Sequence, residues 1–262
     1  MNALNNRLGE LLAERDVLYG MICRDATPTD IELMAQAGYH VIWLDLEHSP
    51  QSTSAALQLC RTITHLGMVP LVRILELSRT HVQRVLDGGA QIVCLPDVRS
   101  AAEAARLVEL GKFPPLGERG VASSAAGTGF TLGSDPQETL RQANEATHLM
   151  VMFESDAAYD QLDEILAVDG ADLVAIGSMD WGVSLGLFGE EARAHLAPKI
   201  ERIITATARA GKVSGTGVSS PEQPAEYRKM GMRIFFLGPD VGLKRKLLID
   251  TVDPYRDALG SG

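Results

Sequence analysis

The stretch HVIWLDLEHSPQSTSAALQLCRTITHLGMVPLVRI, His40–Ile74, alternates two kinds of segment. HVIWL (His40–Leu44) and VPLVRI (Val69–Ile74) are short, apolar and rich in β-branched residues, as strands buried on both faces are. Between them Ala56, Leu59, Cys60, Ile63 and Leu66 keep the three-to-four spacing of a buried helical stripe across Thr53–His65. Strand, helix and strand in so short a span predict a βαβ unit, with parallel strands joined by a right-handed crossover.

The same alternation extends in both directions. Further strands are predicted at Leu18–Cys23, Gln91–Leu95, Leu149–Phe153, Leu173–Ile176, Val213–Val218 and Arg233–Leu237. Helical spacing recurs at Thr29–Ala37, Ala101–Leu110 and Asp156–Ala167. Eight strands alternating with helices in 262 residues predict a (β/α)8 TIM barrel. An open doubly wound sheet usually carries a glycine-rich phosphate turn after its first strand, and Cys23-Arg24-Asp25-Ala26 is not one. No composition shift marks a boundary, so residues 1–262 are expected to form one barrel domain. Residues 112–147 are expected to be a long loop region after strand four, since Gly, Ser, Ala and Thr dominate Pro114–Phe130. Ahead of the first strand, Leu4, Leu8, Leu11 and Leu12 are spaced as on an amphipathic helix.

Composition narrows the partners. Lys and Arg number 24 against 34 Asp and Glu, a formal charge of −10, with no basic block. Such a chain is poorly suited to phosphate backbones or anionic membranes, so neither nucleic acid nor membrane is expected as a partner. No apolar run reaches the roughly 18 residues of a membrane span, and the first sixteen residues have no signal-peptide core. Cys23, Cys60 and Cys94 form no CxxC pair and lie in apolar or apolar-periodic segments. They read as reduced core residues, which suits a cytoplasmic protein.

In a barrel, chemistry sits at the C-terminal strand ends. Asp45-Leu46-Glu47-His48 follows strand two, Arg73 closes strand three, and Glu154 follows strand five; Gly177-Ser178-Met179-Asp180 follows strand six. Glu154 and Asp180 offer the hard oxygen donors that Mg2+ or Mn2+ takes from one or two carboxylates beside water and substrate oxygens. Asp180 is equally placed to cap a helix. His48 lies within reach of Asp45 across a tight turn, a pairing that would orient the imidazole as a general base; a backbone-satisfied histidine is the alternative. Arg73 must pair with an acid such as Asp45 or Glu76, or bind an anion. None of the six lysines lies at a C-terminal strand end, which removes Schiff-base chemistry, and Lys244-Arg245-Lys246 reads as a solvated helix face.

VIWLDLEHSP, LVRI, RVLDGGAQIVCLPDVRSAAEA, GERGVASS, VMFESDAAYDQLDEILAVDGADLVAIGSMDWGVSLG and GPDVGLKRK together resemble the HpcH/HpaI aldolase family over nearly the whole chain. The resemblance implies a metal-dependent class II aldolase cleaving a 4-hydroxy-2-oxo acid to pyruvate, or a related 2-oxo acid, and an aldehyde. It implies Glu154 and Asp180 as ligands of a divalent metal (Mg2+ or Mn2+, with Co2+ a further candidate). His48 matches the catalytic histidine, with Asp45 beside it; Arg73 matches the arginine on the 2-oxo oxygen, and Asp87 an acid reaching the neighbouring subunit's site. Substrate would be met by backbone at Gly177, Ser178 and Met179 and by Met152. It implies a homo-oligomer, typically a hexamer built as a trimer of dimers, with the last helix exchanged. Met152 stands where the family often has Gln, Gly127 where it commonly has Arg, and GSMDW replaces GPxDL. These departures keep open an oxaloacetate decarboxylase, a citrate-synthase-like condensing enzyme, or a barrel that binds a 2-oxo acid without turnover.

Overall fold

The structure, a computed structural model, describes residues 4–260. Eight strands, β1 (Leu18–Cys23), β2 (Val41–Asp45), β3 (Val69–Arg73), β4 (Ile92–Leu95), β5 (His148–Phe153), β6 (Ala171–Ile176), β7 (Val213–Gly217) and β8 (Ile234–Pro239), pair in sequence order into a closed barrel. Every pairing is parallel, including the closing one, where Leu18 stands opposite Ile234 and Gly20 opposite Phe236. This is the (β/α)8 barrel that the strand count predicts.

The helices are α1 (Arg7–Glu14), α2 (Pro28–Gln36), α3 (Thr53–His65), α4 (Arg79–Asp87), α5 (Ala101–Gly111), α6 (Pro136–Ala146), α7 (Asp156–Asp160), α8 (Leu162–Leu166), α9 (Ser178–Ser184), α10 (Gly189–Arg209), α11 (Gln223–Lys229) and α12 (Asp240–Leu259). Two expectations are corrected. Residues 112–147 are loop only in their first part: Asp135 accepts from the Glu138 amide and Pro136 opens α6, a start that the glycine-rich stretch before it hides. The helix expected over Asp156–Ala167 is two short ones, α7 and α8, separated at Gln161, whose side chain accepts from the Ala101 amide at the start of α5.

The core has two layers because strand side chains alternate between faces. Outward residues such as Ile42, Leu44, Val72, Val93, Val151 and Val174 pack against the helices. Inward residues Val41, Trp43, Val69, Leu71, Ile92, Cys94, Met150, Met152, Leu173, Ala175, Ile234 and Phe236 fill the barrel. Trp43 and Phe236 meet edge to face at 4.9 Å. Leu8 and Leu11, the apolar stripe of α1, join this inner layer. Gly20 is required by the same packing: a Cβ there would stand 2.4 Å from the Phe236 ring. All three cysteines are free and buried. Among the described residues, no helix is long and apolar enough to cross a membrane.

Gly20→Ala should therefore destabilise the fold by about 1–3 kcal/mol. In urea denaturation, combining it with Phe236→Leu should cost less than the two single changes together; strict additivity would mean that the ring is not what Gly20 accommodates.

Candidate active site

The inward positions continue past the filled layer. After Trp43 comes Asp45, after Leu71 Arg73, after Met152 Glu154 and after Ala175 Gly177, so strand parity alone brings these residues to the C-terminal mouth. Asp45 and Arg73 also face each other in register across β2 and β3.

Arg73 grips Asp45 through two parallel hydrogen bonds, Nε to Oδ1 at 2.9 Å and Nη2 to Oδ2 at 2.6 Å. Its Nη1 lies 2.9 Å from Glu47 Oε2 and 3.9 Å from Met152 Sδ, and the guanidinium rests 5.6 Å from the Trp43 ring. Asp45 Oδ1 also accepts the backbone amides of Glu47 and His48, at 3.0 and 3.2 Å. Burial pushes the Asp45 carboxyl up, yet Arg73 and those amides outweigh it and hold it below the ordinary carboxylate range. The ion-pair alternative for Arg73 is thus what the chain builds, with Asp45 rather than Glu76.

The expected Asp45–His48 contact is corrected. Asp45 takes the His48 amide, while the imidazole turns outward, 49% exposed, with Nε2 3.7 Å from Glu47 Oε2. Glu47, which spacing alone did not single out, stands between the cation and the imidazole. Burial raises its carboxyl, with Asp45 and Asp180 adding to the rise and Arg73 and His48 opposing it.

Glu154 is buried, and its Oε1 accepts the Asp97 amide at 2.6 Å. Asp97 supplies that amide from a left-handed backbone (φ 43), a region that aspartate enters more readily than most residues other than glycine. Burial lifts the Glu154 carboxyl to about 7, and the carboxylates of Asp180 and Glu47 push the same way. Gly177 must lack a side chain here, since a Cβ would meet Glu154 Oε2 and Met152 Cε at 2.5 Å each. Its own amide is spent on the Phe153 carbonyl, at 2.9 Å, so at this turn only the following amides, from Ser178 and Met179 onward, are free of that bond.

Asp180 stands in the first turn of α9, where the helix dipole favours a carboxylate, but it is not the cap: that position is Gly177, with no side-chain bond. The Asp180 side chain makes no hydrogen bond or ion pair among the described residues, and Met179 beside it is largely exposed. The turn is braced from behind. Trp181 is fully buried and gives Nε1–H to Asp156 Oδ1 at 2.9 Å, and Lys199 closes on the same oxygen at 2.5 Å. That brace ties the segment after Glu154 to the helix holding Asp180.

Asp87 is not brought to this mouth. It ends α4, which runs back toward the N-terminal ends of the strands, and accepts from Arg119 Nη2 at 2.9 Å. Arg119 accounts for the glycine at 127, where a Cβ would lie 2.6 Å from Arg119 Nη2 and 2.4 Å from the Leu86 carbonyl oxygen. A hollow of about 310 Å3 at the opposite end is lined partly by Lys112, His148 and Asp172, but Lys112 already donates to the Asn144 and Thr147 carbonyls. Lys244, expected on a solvated face, instead pairs with Asp30 at 3.0 Å.

Among the described residues, no three His, Cys, Asp or Glu side chains stand close enough to hold a metal between them. Glu154 and Asp180 nevertheless suit a cation that takes only one or two protein carboxylates. Gly177 leaves room beside Glu154, whose carboxyl is lifted by burial first and by the acids Asp180 and Glu47 after it, features that fit such a donor pair.

Two stability outcomes follow. Asp45→Asn leaves Arg73 without its bidentate partner and should cost about 3 kcal/mol. For Glu154, a folded-state pKa above the unfolded one means that the native state binds the extra proton. Stability of the metal-free protein should therefore fall as pH rises from about 4.5 to about 7, by at most about 1.4 kcal/mol per unit for this group. Glu154→Gln should remove that component of the slope in denaturation curves at several pH values; an unchanged slope would refute it.

The chain is similar to known proteins over most of its length. The sequence profile of the HpcH/HpaI aldolase/citrate lyase family matches residues 18–246. The chain is 32% identical over 247 residues to a hydroxypyruvate/pyruvate aldolase of Paraburkholderia phytofirmans, covering 92% of this chain and 94% of that one. It is 32% identical over 249 residues to a 2-keto-3-deoxy-L-rhamnonate aldolase of Salmonella gallinarum, covering 95% and 92%. Among solved structures, an HpcH/HpaI aldolase from Desulfitobacterium hafniense superposes with a TM-score of 0.88 at 28% identity, covering 95% of this chain and 96% of that one.

Proposed function

The chain belongs to the HpcH/HpaI aldolase/citrate lyase family, and from that premise we propose that it is a divalent-metal-dependent class II aldolase. Its reaction is the reversible cleavage of a 4-hydroxy-2-oxo acid to pyruvate, or a related 2-oxo acid, and an aldehyde. The observation that carries this reading is the buried Asp45–Arg73 pair beside Glu154 and Asp180. A fixed guanidinium next to carboxylates in want of a cation suits an enolate. The names of the related aldolases support the same class.

Glu154 and Asp180 would hold the cation, Mg2+, Mn2+ or Co2+, which when bound supplies Lewis-acid polarisation of the 2-oxo carbonyl. Arg73 holds the 2-oxo oxygen as negative charge develops there, from the Nη1 edge that Glu47 occupies in the structure. Asp45 keeps the guanidinium from turning. The free amides at the start of α9, by Ser178 and Met179, meet the substrate carboxylate, and Met152 presents an apolar wall where an amide side chain would donate. In the cleavage direction His48 takes the proton from the 4-hydroxyl, the C3–C4 bond breaks, and its electron pair passes to the C2 carbonyl as the enolate. A proton returned to C3 completes pyruvate, and the aldehyde leaves.

Deuterium exchange into the pyruvate methyl group, followed by NMR, isolates enolate formation from the choice of aldehyde. Exchange should require Mn2+ or Mg2+ and vanish in Glu154→Ala, and Arg73→Lys should lower it about 100- to 1000-fold, as losing one oxyanion donor does. Folded protein that exchanges nothing with any of these metals would overturn the reading.

We also infer a homo-oligomer, a hexamer of the trimer-of-dimers kind with α12 exchanged, in which Asp87 approaches a neighbour's mouth. Support comes from α12, which leaves Leu247, Leu248, Tyr255 and Leu259 exposed. Sedimentation should give a species near six chains, and Leu247→Glu with Leu248→Glu should reduce it; a monomeric wild type would refute this inference.

A further inference from the structure

Arg24 follows β1, and the period that brings Asp45 and Arg73 to the mouth brings it there too: Leu18, Gly20 and Ile22 are the inward residues of that strand. Its backbone is fixed. Asp240, buried at the start of α12, accepts the Arg24 amide at 2.9 Å and the Asp25 amide at 3.4 Å. Lys244 adds a bond to the Asp25 carbonyl at 3.1 Å. The guanidinium itself is almost unspoken for. Nε is buried without a hydrogen-bond partner, 3.5 Å from Asp45 Oδ2, and the side chain is 42% exposed. Its other N–H groups make no hydrogen bond among the described residues.

Asp45 answers that cation only in part. Its single charge is gripped on two edges by Arg73, and Oδ1 carries two further amides. Two guanidinium groups therefore flank one carboxylate oxygen, Arg73 Nη2 at 2.6 Å and Arg24 Nε at 3.5 Å. Arg73 is bonded to Asp45 and Glu47 in the structure, whereas the outer N–H groups of Arg24 have no partner among the described residues. The other charged side chains of the rim include the acids Glu47, Glu154 and Asp180, and Glu47 is already paired with Arg73.

We propose that Arg24 is a specificity-determining residue that binds a second carboxylate of the substrate, on the acceptor side, so that the preferred product is a short 4-hydroxy-2-oxo dicarboxylate. The planar fork of arginine matches a carboxylate in two parallel bonds, and because Arg24 and Arg73 approach the same Asp45 oxygen, that carboxylate lies within a few carbons of the 2-oxo oxygen that Arg73 holds. This rests on the aldolase reading for its chemistry, but not for its binding.

Binding is tested without turnover using 2-oxoglutarate and 2-oxopentanoate, which share a five-carbon 2-oxo acid skeleton and differ only in a terminal carboxylate against a methyl group. Neither has the 4-hydroxyl needed for cleavage. Calorimetry on Mn2+-loaded wild type should show tighter binding of 2-oxoglutarate. In Arg24→Ala the ratio of the two affinities should collapse by about 10- to 100-fold, the worth of a charge-assisted hydrogen bond, with Arg24→Lys in between. In synthesis, pyruvate with glyoxylate should outrun pyruvate with glycolaldehyde, and Arg24→Ala should erase the preference. A wild type that does not favour 2-oxoglutarate, or a variant that weakens both ligands equally, would overturn the proposal. Should the pyruvate methyl group fail to exchange while the Arg24-dependent preference persists, the aldolase reading falls and the anion subsite stands.

Discussion

The two-residue period of a strand, imposed on a barrel that closes, is the constraint from which the site follows. Trp43, Leu71, Cys94, Met152, Ala175 and Phe236 fill the interior, so the next inward position on each strand emerges at the mouth. Little apolar packing remains there to stabilise a side chain, and a polar group pays no such loss if it finds partners. Asp45 and Arg73 find each other. Both are buried, and a buried charge holds its place only when paired on every edge. Their pairing, in register on adjacent strands, turns a steric rule into a fixed electrostatic feature.

Around that pair the charge balance is uneven. Glu47 is raised by burial although Arg73 and His48 oppose the rise, and Glu154 is raised by burial with Asp180 and Glu47 adding to it. A cationic ligand and an anionic substrate can bind such a site together where neither would bind well alone, because each screens what the other would meet. In the proposed complex Arg73 holds the 2-oxo oxygen and Arg24 the far carboxylate.

Much of this was legible in residue order. Alternating apolar runs and helical stripes specified the barrel, and turn chemistry at strand ends pointed to Asp45, His48, Arg73, Glu154 and Asp180. What spacing could not supply was which acid faced which base. Asp45 and His48 are three residues apart, a separation that fits either a side-chain contact or a backbone one, and the bidentate demand of Arg73 decides for the latter. Glu47 has no role legible from spacing because its partner Arg73 comes from β3, distant in sequence. Arg24 lies in a turn with no glycine motif to mark it, although counting in twos from Leu18 reaches it. Helix α6 was hidden by the loop before it, and Arg119 by a gap at Gly127 that only three-dimensional packing explains.

The seam between β1 and β8 has a consequence for how the molecule comes into being. Leu18 pairs with Ile234, and the corner bearing Arg24 is held by Asp240, so the first strand waits for the last before either is finished. During synthesis the chain carries an unpaired edge through most of its length, exposed to other chains in the same state. Only when the segment beyond β8 leaves the ribosome can the mouth assemble. Activity is therefore withheld from every nascent intermediate, and a chain cut short before Asp240 would have the lock but no corner to hang it on.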